Sequence, residues 1–169
     1  FMRILALDQS SRVSGWSIYD NDKLIDFGHF SISSSLPVER KMNELMRQLC
    51  ELHNKFEFAA VAFEDIQLQA GNVKTFKILS YMQAAIIIWC YDNDMSYKIL
   101  APSHWRSILK DNFHLSFGRK RTEQKQVAQE FVQNKFNITV TEDEADSICL
   151  GLAAVLENIY TALNDECAF

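Results

Sequence analysis

A chain of 169 residues suits one domain, and its 48% hydrophobic and 12% aromatic content is that of a packed globular protein, not a disordered one. A domain of this size buries roughly 70% of the surface its unfolded chain exposes, so it needs no stapling. The net charge of −5 argues against the basic footprint usual for DNA binding, with two corrections: some acids are candidates for neutralisation by metal, and the basic residues cluster, most densely at Arg119-Lys120-Arg121 with Lys125.

Phe1 ahead of Met2 reads as an appended residue and is set aside. Residues 3–9 form a strand that is apolar on both faces. A polar turn, Ser10 to Gly15, leads to a second strand over 16–19, and the Asn21-Asp22 turn to a third over 23–32. Three strands joined by short turns make an antiparallel meander. The Ser33-Ser34-Ser35 loop and Pro37 open a helix, where Val38, Met42, Leu45, Leu49 and Leu52 recur on one face. Residues 58–63 form a buried fourth strand, expected to run parallel to the first because it follows a helical crossover. A second helix covers 72–91. Its half from Ala84 to Cys90 is apolar nearly all round, which requires burial on more than one side and points to a subunit interface. A fifth strand at 97–100, a short helix at 102–110, a loop at 111–118, a helix at 122–135 and a last helix at 142–163 complete the chain. This order predicts an α/β domain: a mixed five-stranded sheet, three antiparallel strands plus two parallel, flanked by helices on both faces. That is the RNase H-like pattern, here a single domain over 2–163 with a C-terminal tail at 164–169.

Cys50, Cys90, Cys149 and Cys167 contain no C-x-x-C pair, and the histidines show no ligand spacing relative to them; reduced thiols are expected, not a zinc site. No secretory signal is visible, and the run from Ala84 to Cys90 is too short to span a bilayer, so the expectation is a cytoplasmic protein without a membrane partner.

Asp8, Glu64, Asp143 and Asp146 carry the chemistry. Asp8 ends Arg3-Ile4-Leu5-Ala6-Leu7, and Glu64 ends Ala59-Ala60-Val61-Ala62-Phe63. If strands one and four are parallel neighbours, these acids share the carboxyl edge of the sheet, where ligands of α/β proteins bind. Asp143 and Asp146 are three apart on one helix and lead the stripe Cys149, Leu150, Ala153, so they point inward. Unit charges 4 Å apart repel by about 4 kcal/mol at an effective dielectric of about 20. No equal set of buried cations is visible in the sequence, so two divalent ions are expected to stabilise the quartet and to serve phosphodiester hydrolysis. All-oxygen ligation favours Mg²⁺, with Mn²⁺ able to substitute.

Each acid also has a structural reading. Thr141-Glu142-Asp143-Glu144 is a capping box, which accounts for Glu142 and Glu144 but leaves Asp146 unexplained. Asp8 alone could be a turn residue, and Asp65 could act in place of Glu64. The basic stretch from Gly118 to Lys125 could be a solvated helix start, yet cations there oppose the helix dipole, which an anion such as DNA phosphate would relieve. Lys74, Lys77, Arg106 and Lys110 extend this patch. Trp105 reads as core and not as a base-stacking platform, and the Ser10-Ser11 turn lacks the glycines of a phosphate loop.

With these residues in place, the chain resembles the RuvC family of Holliday-junction resolvases over nearly its whole length. The resemblance rests on Met2-Arg3-Ile4-Leu5-Ala6-Leu7-Asp8 with Ser14-Gly15-Trp16, on Ala62-Phe63-Glu64, on Lys125-Gln126-Val127 and on Asp143-Glu144-Ala145-Asp146-Ser147. Among members it is most similar to phage-encoded RuvC-like proteins, of lactococcal phages in particular, which would place it in a bacterial host cytoplasm. The resemblance implies that Asp8, Glu64, Asp143 and Asp146 are catalytic and bind two Mg²⁺. It implies a homodimer, formed through the helix at 72–91, that nicks a four-way junction symmetrically and leaves 5′-phosphates, with Lys125 contacting DNA near the cut. With the basic residues read above, the expected DNA contacts are Arg119, Lys120, Arg121, Lys125, Lys74 and Lys77. Family members can carry a wedging aromatic three positions after the Glu; here that position is Gln67, between Ile66 and Leu68, which predicts looser sequence selection and cleavage of other branched DNA such as forks and flaps.

Two rival functions share some of these features. Asp8-Gln9-Ser10-Ser11 with Gly15 also suggests an actin-like phosphate-loop ATPase, although such enzymes pair two domains and this chain is too short for both. A non-catalytic binder of branched DNA would use the basic patch alone.

Overall fold

The computed structural model describes residues 2–68 and 71–157. Its strands are β1 (Arg3–Asp8), β2 (Val13–Asp20), β3 (Lys23–Ser31), β4 (Ala60–Glu64) and β5 (Ser96–Leu100); its helices are α1 (Val38–Phe56), α2 (Val73–Asp92), α3 (Pro102–Phe113), α4 (Arg121–Phe136) and α5 (Glu142–Leu156). The sheet order is β3-β2-β1-β4-β5. β1 pairs antiparallel with β2 and parallel with β4, and β5 adds a second parallel pair. The expected mixed sheet is present, with helices on both faces.

Strand alternation sorts the core into two layers. Ile4, Ala6, Ala60 and Ala62 face α3, α4 and α5, whereas Leu5, Leu7, Val61 and Phe63 face α1 and α2. The small residues on the first face let α5 lie close to the sheet. At Gly151 of α5, an added Cβ would come within 2.6 Å of the Tyr19 ring and 3.0 Å of Ala6 Cβ. Two hydrogen bonds fix the height of α5 on β2: Ser17 Oγ donates to the Ser147 carbonyl at 2.8 Å, and Tyr19 Oη to the Ile148 carbonyl at 2.9 Å. Both carbonyls lie just beyond Asp146, so these contacts position the acidic first turns of α5.

Some predicted bounds shift. β2 begins at Val13, because the turn residues pair with β3 as far as Ser31. α3 continues to Phe113 before His114 ends it in the left-handed region, so the predicted loop is shorter. Residues 158–163 of the predicted last helix and the tail at 164–169 lie outside the described residues, as does Cys167. α2 also corrects the membrane argument. The whole helix, not the run from Ala84 to Cys90, is the relevant length, and its 20 residues are apolar enough by composition to cross a bilayer. Here it packs against α1 and β5, and Ile88, Tyr81 and Tyr91 remain exposed along it.

Candidate active site

Asp8 closes β1 and Glu64 closes β4, each one residue past the parallel pair Leu7–Phe63. Register alone therefore brings their carboxylates to the same sheet edge. α5 supplies Asp143 and Asp146 from its first two turns. Its start is fixed by the predicted capping box: Glu144 N–H donates to Thr141 Oγ1 at 3.3 Å, and Thr141 N–H to Glu144 Oε2 at 2.8 Å. The structural and functional readings of this segment hold together, because the cap uses Glu144 while Asp143 and Asp146 remain on the inward face. All four acids line one cleft of about 460 Å³.

Lys125 of α4 stands among the α5 acids. Its Nζ lies 3.4 Å from Asp146 Oδ2, 3.7 Å from Asp143 Oδ1 and 3.4 Å from Glu142 Oε2. Arg106, Arg119 and Arg121 also line the cleft. This corrects the premise that the acids lack nearby cations: α3 and α4, remote in sequence, fold over the same edge and bring basic residues to it. Lys120, Lys74 and Lys77 are not among the cleft-lining residues. Lys120 sits at the start of α4, where its backbone N–H donates to Glu123 Oε2 at 3.2 Å, and Lys77 lies over the Tyr81 ring at 5.9 Å on α2.

Burial keeps three of the site acids raised despite these basic residues. Burial, then repulsion from Asp146 and Glu64, holds the Asp8 carboxyl well above the usual carboxylate range, against the pull of Lys125. Burial also raises Glu64, although the Trp105 hydrogen bond and Arg106 oppose it. Asp146 is raised by burial despite Lys125 and Arg106. Burial disfavours the Lys125 charge, but Asp146, Asp143, Asp8 and Glu142 outweigh it and push its pKa up. Burial is thus the main reason that these three acids bind protons tightly, with carboxylate repulsion adding to it chiefly at Asp8. Among the described residues, no three His, Cys, Asp or Glu side chains are already closed into a metal cage, and the Lys125 ammonium holds part of that place. An all-oxygen donor set of four acids lining one cleft fits a hard divalent cation.

Three residues at or beside the cleft have roles that the sequence did not assign. Gln9 is buried, and its Nε2 donates to the Glu64 carbonyl at 2.6 Å, tying the ends of β1 and β4 together. Trp105 is core, as expected, yet its Nε1 donates to Glu64 Oε2 at 2.7 Å. Phe76, in the first turns of α2, lines the cleft beside Gln67. Only a contact across 41 residues reveals the Trp105 bond, and no local pattern encodes it.

No protein-family model matches the chain. It is similar in sequence to curated proteins named crossover junction endodeoxyribonuclease RuvC. The protein of Finegoldia magna is 26% identical over 171 residues, covering 97% of this chain and 99% of the relative; that of Caldicellulosiruptor saccharolyticus is 24% identical over 162 residues, covering 93% and 94%. Among solved structures, Thermus thermophilus RuvC in complex with a Holliday junction substrate superposes with a TM-score of 0.74 at 13% identity, covering 96% of each chain. The fowlpox virus resolvase with Holliday junction DNA gives 0.56 at 18% identity, covering 92% of this chain and 98% of that one. At these identities the superpositions speak for the fold alone.

Proposed function

We infer, from this similarity and from the cleft, that the chain is a divalent-metal-dependent endonuclease that resolves Holliday junctions. The observation that carries the reading is the convergence of Asp8, Glu64, Asp143 and Asp146 from β1, β4 and α5 on one cleft rimmed by Arg106, Arg119 and Arg121. We assign the four acids as catalytic ligands of two Mg²⁺ ions, which, when bound, supply charge neutralisation and activation of water for phosphodiester hydrolysis.

The remaining steps belong to the chain's own residues. The arginines hold the DNA backbone at the mouth of the cleft, with bidentate contacts suited to phosphate. Glu64 is held from both sides, at its carbonyl by Gln9 and at its carboxylate by Trp105. Lys125 stays charged among the acids and stands ready for a phosphate oxygen. Lys120, Lys74 and Lys77 belong to an outer electrostatic field around the duplex arms. The exposed apolar face of α2 pairs two copies, whose two-fold axis matches that of a four-way junction and yields paired nicks. With Gln67 in the cleft, selection among nucleotide sequences is loose, and forks and flaps are also cut. A phage-encoded type acting in a bacterial cytoplasm remains part of this reading.

A cleavage assay on a synthetic four-way junction, with Mg²⁺ against EDTA and wild type beside Asp146→Asn, tests it. Mg²⁺-dependent symmetric nicking by the wild type and loss of at least about 100-fold in the variant are expected. Wild-type binding without cutting in any divalent metal would leave a structural DNA binder in its place.

A further inference from the structure

We propose that Trp105 is a positioning residue that holds one oxygen of the Glu64 carboxylate, so that Glu64 presents its other oxygen to a divalent cation. This deepens the nuclease reading and rests on it.

The indole N–H is a donor with no acceptor capacity, so this contact is defined whichever state Glu64 adopts. At 2.7 Å the Nε1–Oε2 bond lies in the short range of charge-assisted hydrogen bonds. Trp105 is 1% exposed, so water has little access to compete for its donor. The ring is packed against two neighbours. It meets Phe117 edge-on, with centroids 5.7 Å apart at 87°, and the Arg106 guanidinium lies 4.7 Å from its centroid. Its backbone belongs to the first turn of α3, where Trp105 N–H donates to the Ala101 carbonyl at 3.2 Å. A buried, packed donor therefore reaches from α3 to the last residue of β4.

Gln9 completes the arrangement from the other side. Its bond to the Glu64 carbonyl fixes the main chain, while Trp105 fixes the side chain. Glu64 is thus constrained at both ends, and among the described residues no hydrogen-bond donor reaches its second carboxylate oxygen, Oε1. Partners of this kind, bound to a ligating group and not to the cation, typically account for about 10- to 100-fold in metal affinity or activity.

The full-length protein tests this. Mn²⁺ binding to the DNA-free chain is measured by calorimetry for wild type and Trp105→Phe, beside junction affinity in EDTA and single-turnover cleavage across a Mn²⁺ titration. Trp105→Phe is expected to weaken Mn²⁺ binding about 10- to 100-fold, to move the half-saturating Mn²⁺ for cleavage upward in step, and to leave junction affinity unchanged. An unaltered Mn²⁺ isotherm in a folded variant overturns the proposal. If the variant does not fold, the wild-type indole N–H resonances decide: Trp105 is expected to shift on Mg²⁺ addition while Trp16 and Trp89 do not, and an unmoved Trp105 resonance in an active enzyme overturns it. A wild-type chain that binds no Mn²⁺ and cuts no junction defeats the nuclease reading itself; one that cuts normally beside an unaltered Trp105→Phe defeats the Trp105 assignment alone.

Discussion

Gly15 lies directly beneath Asp143: a Cβ built on Gly15 would stand 1.9 Å from the Asp143 carbonyl oxygen and 2.4 Å from its carbonyl carbon. The atoms it would strike are backbone, at the capped first turn of α5, so no side-chain rotation relieves the clash. Gly15 also pairs with Asp8 across β1 and β2. One glycine therefore sets the approach of the acid-bearing helix to the acid-bearing strand. Gly15→Ala must push the start of α5 outward. Overpacking of this kind costs about 1–3 kcal/mol, and a misplacement of about 1 Å can cost 100-fold in rate. The variant is expected to fold with a lowered Tm and to lose cleavage out of proportion to that loss, as thermal unfolding beside single-turnover cleavage will show.

Much of the site was legible because its acids interrupt strong local patterns. Asp8 and Glu64 end apolar strands, and the crossover helix α1 makes those strands parallel, so their shared edge follows from order alone. Asp143 and Asp146 were readable from i, i+3 spacing and from the buried stripe they head. What was hidden depends on tertiary neighbours. Gly15 looked like turn punctuation, although its reason is a helix 128 residues later. The Trp105 bond to Glu64 was missed because Trp105 sits on a short helix whose residues could face either way. The end of α3 was misplaced because Asp111 and Asn112 resemble turn residues; Asn112 Nδ2 instead donates to the Ile108 carbonyl at 2.8 Å, and Phe113 packs against Phe131 at 5.1 Å, which carries the helix onward.

Asp8→Asn removes a charge that its surroundings resist. Burial and the Asp146 and Glu64 carboxylates outweigh Lys125 there. In EDTA the substitution is expected to stabilise the fold by on the order of 1 kcal/mol, which raises Tm by roughly 2–4 °C in a domain of this size. Cleavage should disappear while junction binding persists. A lower Tm in EDTA would show that Asp8 contributes attraction and not repulsion.

The same charges set the pH dependence of the metal-free protein. Asp8, Glu64 and Asp146 hold protons more tightly folded than unfolded, so protonation favours the native state. Stability from these groups is therefore lost as pH rises from the ordinary carboxylate range, about pH 4, through their raised native values. Glu144 and Glu157 work the other way, being lowered by Thr141 and His29 and by Lys98 and His104 against the effect of burial. Their stabilisation is lost below the ordinary range, as pH falls through their depressed native values, and does not mask the first window. Tm in EDTA is expected to fall with rising pH above about 4, and saturating Mg²⁺ should flatten or reverse that slope. A Tm rising through this window in EDTA would contradict the raised values.

The Lys125 ammonium sits among the acids that we assign to a divalent ion. It lies within 4 Å of Glu142, Asp143 and Asp146, and the Lys125 side chain is only 18% exposed. A unit charge about 4 Å away acts with roughly 4 kcal/mol at an effective dielectric of about 20, so the ammonium opposes an arriving cation as strongly as it offsets the acids. Lys125→Ala is therefore expected to bind Mn²⁺ at least about tenfold more tightly in the absence of DNA, while cutting junctions more slowly for want of a cation beside the phosphate. The opposite signs matter, since simple loss of structure would weaken both. Calorimetric Mn²⁺ titration of the DNA-free variant, set beside its single-turnover rate at saturating metal, checks the pair; weaker Mn²⁺ binding by a folded Lys125→Ala would mean that the ammonium orders the acids and does not compete for them.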